Sequence, residues 1–100
     1  MFLPTARFTE VNLQQSIIAN RSGTISCSAE GAPTPQIEWK RQDEVELDRA
    51  RFSAFSNGSL KVNPVHRQDK GKYTCTLKQT KGSNRVTIEK KIIDVSVISE

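Results

Sequence analysis

Two cysteines, Cys27 and Cys75, and one histidine, His66, carry the most reactive side chains of this 100-residue chain. A metal centre needs three or four Cys, His or carboxylate ligands held close together. A lone His between two widely spaced Cys spells out no such set. Nucleophilic catalysis needs a base beside a Ser or Cys, and no pairing of that kind is readable. The acidic stretch DEVELD, residues 43–48, lacks the glycine and ligand spacing of a calcium loop and reads as a solvated connection. No glycine-rich phosphate cradle is present. The expectation is therefore no enzyme, no metal and no cofactor, with the two thiols left for each other.

Two triplets carry a different chemistry. Asn20-Arg21-Ser22 and Asn57-Gly58-Ser59 both match the N-glycosylation acceptor pattern. Both sit among turn-forming residues, where a sugar disturbs no core. With a disulfide they point to an oxidising, extracellular setting. The opening residues MFLPTARFTE have only three apolar residues in a row and no basic start, so they form no signal peptide. If the protein is secreted, the chain is expected to be a fragment of a larger one. No apolar run approaches the ~20 residues of a membrane span.

Charge is distributed unevenly. The net formal charge is +4. Residues 1–60 hold six basic and seven acidic side chains, whereas residues 61–93 hold nine basic and two acidic ones. A basic half allows acidic partners such as sulfated glycan. Nucleic acid is not expected, because no set of stacking aromatics accompanies the cations.

The elements that must position these residues are short. Apolar–polar alternations, separated by Gly, Pro, Asn and Asp, read as strands and turns. Ile25, Cys27 and Ala29 share one side, as do Ile37 and Trp39, then Tyr73, Cys75 and Leu77, then Ile93, Val95 and Val97. No window holds a helical period over ten residues, so the class is all-β, with one helical turn expected near residues 64–68. Asn57-Gly58 signals a hairpin, because both residues can take positive φ. If the strands bearing Cys27 and Cys75 lie in opposite sheets of a sandwich, a disulfide staples the sheets and Trp39 packs against it. Closing a loop of roughly 50 residues is worth about 4 kcal/mol in the chain-entropy model. Tyr73 points the same way as Cys75, and its hydroxyl reaches back to backbone at the preceding corner. Gly71 permits that corner, and Asp69 caps it or accepts an ion pair.

The pattern Cys27…Trp39…Leu60-x-Val62-x-x-Val65-x-x-x-Asp69-x-Gly71-x-Tyr73-x-Cys75 resembles the immunoglobulin superfamily. GAPTPQIEWKR and the short segment between Trp39 and Leu60 resemble its intermediate (I-set) branch. The resemblance covers about residues 8–98 of one domain spanning 1–100. It implies a two-sheet sandwich joined by a B–F disulfide, with strands A/A′ at 6–19, B at 23–28 and C at 36–41. Strands D, E, F and G follow at 51–55, 59–63, 71–79 and 85–98. It also implies an Arg51–Asp69 pair across the bottom of the sandwich. Two functions follow. One is protein recognition by a cell-surface receptor or adhesion molecule, through a partner protein or neighbouring domains. The other is binding of heparan sulfate by Lys78, Lys81, Arg85, Lys90 and Lys91. A structural spacer, as in intracellular muscle arrays, is a third.

One departure from the family stands out. The chain after Cys75 is long, and its apolar phase flips from even (Val86, Ile88) to odd (Ile93, Val95, Val97). Either a β-bulge lies near residues 89–92, or the last two strands continue past the sandwich as a projecting hairpin with its tip at KGSN.

Overall fold

The computed structural model describes residues 6–9, 11–42, 46–82 and 85–99. Part of the acidic stretch, residues 43–45, and two residues of the expected hairpin tip, Ser83 and Asn84, lie outside them.

The described chain forms nine strands and one 3₁₀ turn. The strands are β1 (Arg7–Phe8), β2 (Gln14–Ile18), β3 (Gly23–Ser26), β4 (Ala29–Glu30), β5 (Gln36–Arg41), β6 (Phe52–Ala54), β7 (Ser59–Val62), β8 (Gly71–Lys81) and β9 (Arg85–Ile98). The turn, Arg67–Asp69, lies a little later than residues 64–68. One sheet has the order β2-β9-β8-β5, a second β3-β7-β6, and β1 pairs with β4 alone. All pairings are antiparallel except β2 with β9.

The two larger sheets form a sandwich because each strand alternates. Ile25, Leu60, Val62, Val65, Tyr73 and Ile93 are all almost fully buried between them. Burying each such side chain contributes roughly 1.5–3 kcal/mol. Cys27 and Cys75 are bonded to each other at the centre. Trp39 faces Cys75 in the β5–β8 register and belongs to the same core cluster. Its indole Nε1 has no hydrogen-bond partner among the described residues.

The structure decides between the two readings of the last strands and gives the Asn57-Gly58 turn its form. First, β8 and β9 pair without interruption, from Gly71↔Val95 to Lys81↔Arg85. No bulge occurs over residues 85–95. The even residues therefore stay on the face opposite Ile93 and Val95, and the flipped apolar phase means exposure. Val86, Ile88 and Ile92 are 52%, 56% and 47% exposed. Second, Asn57 is not among the residues with positive φ, whereas Gly58 has φ 95°. Asn57 Oδ1 instead accepts the Ser59 N–H at 3.0 Å, an Asx turn that replaces one left-handed residue. Gly58 is required on two counts, since a Cβ there would lie 2.0 Å from the Cys27 carbonyl oxygen.

Candidate interaction surface

β8 has two ends with opposite characters. Its start is closed. Asp69 is 2% exposed and takes a forked pair of bonds from Arg51, Nη1 at 2.8 Å and Nη2 at 2.9 Å. The His66 backbone N–H donates to Asp69 Oδ2 at 2.7 Å. The Tyr73 hydroxyl donates to the Asp69 carbonyl at 2.6 Å. Arg41 Nη1 and Nη2 donate to the carbonyls of Gln68 and Lys70, and its guanidinium lies 5.3 Å from the Tyr73 ring centroid. Gly71, at φ 135°, lets the chain turn from this corner into β8. Burial pushes the Asp69 carboxyl up, but the bonds from Arg51 and His66 together hold it below its ordinary value. The same pair raises Arg51, and burial raises Tyr73.

The far end of β8 is open. β5 accompanies β8 only as far as Gln36↔Lys78, so beyond that point the sheet narrows to the β8–β9 hairpin. Gln79 anchors the neck. Its Oε1 accepts the Ala6 N–H and its Nε2 donates to the Pro33 carbonyl, both at 2.8 Å. Sequence reasoning missed Gln79 and Arg41. Gln79 continues the odd, inward phase of Tyr73, Cys75 and Leu77, and that was the available signal. Nothing local in the sequence marks Arg41, because its partners come from another strand's approach.

Alternation sorts the outward side chains into one face. Thr74, Thr76, Lys78 and Thr80 of β8 lie opposite Ile92, Lys90, Ile88 and Val86 of β9. Glu38 and Lys40 of β5 extend the face and meet at 3.5 Å, an exposed pair worth little. A shallow depression runs between Lys40, Thr74, Thr76, Ile88 and Lys90. The five cations assigned to glycan binding do not converge here. Lys78 and Lys90 belong to this face. Lys81 and Arg85 pair with each other across the hairpin and share the opposite parity with Lys91. The Lys91 ammonium stands 5.8 Å from the Phe8 ring centroid.

Asn20 and Asn57 are both exposed, in the turns between β2 and β3 and between β6 and β7. Neither lies on β5, β8 or β9. Among the described residues no group of three or more His, Cys, Asp or Glu is placed to hold a metal ion. No described helix is long and apolar enough to cross a membrane.

Comparison with known proteins joins this geometry to a family. The immunoglobulin domain family model matches residues 7–78, the stretch that holds both cysteines, Trp39 and Tyr73. The chain belongs to the immunoglobulin domain family. Human hemicentin-1 is 35% identical over 76% of this immunoglobulin domain, which spans 1% of that protein. Zebrafish neural cell adhesion molecule L1.1 is 31% identical over 87% of it, a match to 7% of the relative's length. A chain of a solved complex of titin M10 with an obscurin-like 1 immunoglobulin domain superposes with a TM-score of 0.76. It covers 99% of this chain and 98% of the other at 18% identity, which speaks to the fold alone. Immunoglobulin domains are generally a non-enzymatic family, and the zebrafish relative is named as a cell adhesion molecule.

Proposed function

We propose that this intermediate-type immunoglobulin domain is a recognition module of a cell-surface receptor or adhesion protein. It acts outside the cell, by binding a protein through the outer face of β5, β8 and β9. The observation that carries this reading is the row Val86, Ile88 and Ile92, three aliphatic side chains about half exposed on one strand. An uncovered apolar row bordered by Thr and Lys is what a protein interface uses and what a solvated face avoids. The relative named for adhesion, the zebrafish neural cell adhesion molecule, supports it. So do the acceptor asparagines, whose sugars would coat turns and leave this face open.

The test is an array of purified extracellular proteins, this domain included, probed with the native chain and with Ile88→Glu/Ile92→Glu. The expected result is a ligand that the double variant loses and that Lys61→Glu, on the other sheet, keeps. A ligand bound equally by all three overturns the assignment to this face. Expression in a eukaryotic secretory host should add glycan mass at Asn20, Asn57 or both. Protein with neither site occupied counts against an extracellular origin and in favour of the spacer reading. Heparan sulfate is the weaker partner, since the cations it needs are divided between two faces.

A further inference from the structure

The two edges of β9 are used unequally. β8 pairs with one edge from Arg85 to Val95, but β2 pairs with the other only from Asp94 to Ile98. No described residue pairs with that second edge over residues 85–92. Its backbone polarity follows from the neighbouring bonds. The Asp94 N–H donates to the Leu13 carbonyl at 2.8 Å, and the Ile98 carbonyl accepts the Ala19 N–H at 2.9 Å, both on the β2 side. Backbone groups alternate along a strand. Residues 86, 88, 90 and 92 therefore aim their N–H and C=O groups outward along the open edge. Arg85, Glu89 and Lys91, on the opposite face, are exposed as well. The segment meets solvent on both faces and along its edge.

An unpaired, partly apolar edge is a template for another strand. We propose that residues 85–92 of β9 receive an extended acidic segment of a partner protein, which adds to the sheet in line with β2. Charge selects the occupant. Arg85, Lys90 and Lys91 outnumber Glu89 along the edge, and the whole chain carries +4. A second copy meeting this edge antiparallel about Lys90 would set Lys90 against Lys90, which is unfavourable for directly opposed residues. A strand bearing Asp or Glu meets the same cations favourably. Main-chain bonds to the four outward residues supply affinity, and Val86, Ile88 and Ile92 supply selectivity for an alternating apolar partner. The inference rests on the outer face being a recognition surface, of which this edge is the border.

The probe is a capped synthetic decapeptide alternating valine and glutamate, added to the isotope-labelled chain, with amide hydrogen exchange as the readout. Exchange at residues 86, 88, 90 and 92 should slow by at least about tenfold, the scale of one added hydrogen bond. Residues 87, 89 and 91, already bonded to β8, should not change. Lys90→Pro removes one outward donor without touching the β8 ladder, whereas Lys90→Gln removes only the charge. Lys90→Pro should bind the peptide about tenfold more weakly than Lys90→Gln, with an unchanged Tm showing that both variants fold. Unprotected amides at millimolar peptide, or equal binding by the two variants, overturn the proposal. If that happens while Ile88→Glu/Ile92→Glu still abolishes partner binding, the face reading stands without the edge. Protection that grows with the chain's own concentration, without peptide, assigns the edge to a second copy and overturns the acidic partner.

Discussion

The two ends of β8 are built from the same alternating strand, yet they meet solvent in opposite ways. At its start, the Asp69 carboxylate is bonded by Arg51 and by the His66 backbone, and the Asp69 carbonyl is bonded by Tyr73. Towards its other end β8 outlasts β5, and the β9 strand beside it keeps Val86, Ile88 and Ile92 exposed and one backbone edge that no described strand pairs. The difference lies in what packs alongside. A second sheet lies over Tyr73 and Cys75, whereas past Lys78 no described strand pairs with β8 on the β5 side. Stability should therefore be concentrated at the corner and the staple, and recognition at the hairpin.

The largest test of that division is removal of the staple. Cys27→Ala/Cys75→Ala should cost about 4 kcal/mol from loop-closure entropy, for a loop of 48 residues. Thermal unfolding should show a fall in Tm of roughly 15 °C or more. The native protein should expose no alkylatable thiol before reduction. Two reactive thiols would move the stability elsewhere and remove the oxidising setting.

Next in size is the corner. Asp69→Ala leaves Arg51 charged and largely buried, and should cost about 3 kcal/mol in urea unfolding. The pH arm has a definite sign. The folded-state pKa of Asp69 lies below its unfolded value, so its contribution is full above about pH 4. It is lost as the pH falls through the lower folded value. Wild-type stability should drop over that acid window, and Asp69→Ala should remove that part of the drop. Parallel acid profiles for the two proteins would mean that the corner is held by something else.

Tyr73→Phe is a finer cut. It removes a single hydroxyl and leaves the Asp69 carbonyl buried without that donor. The expected loss is about 1–2 kcal/mol, read from the shift in urea midpoint at constant slope. A neutral outcome would show that water replaces the hydroxyl.

The hairpin should respond least. Ile88→Thr, on an exposed site of a β-tolerant type, should change stability by no more than about 0.5 kcal/mol while weakening partner binding. A loss of several kcal/mol would mean that the apolar row is core, which would erase the contrast between the two ends. Lys81→Glu/Arg85→Glu should shift heparin-column elution only slightly, because Lys78 and Lys90 occupy the other face. Abolished retention at physiological salt would restore a glycan site at the hairpin neck.

Much of this was legible in the residues themselves. Strict two-residue alternation determined which side of each strand faces inward, and so which Cys, Trp and Tyr meet in the core. The all-β class follows from that periodicity, because burial of one face is the dominant local constraint, whereas the two-sheet sandwich and the Cys27–Cys75 bond that joins it are what the resemblance to immunoglobulin domains implied. Only the tertiary structure decided how far β8 and β9 stay in register, and hence whether the flipped phase of Val86 and Ile88 meant a bulge or an exposed row. Alternation already required some of the five cations to point to opposite faces, but only the tertiary structure gave Arg41 and Gln79 their partners. Those outcomes depend on which strand ends first and what packs beside it. Such distances between elements remote in sequence are not encoded in the pattern of any single segment.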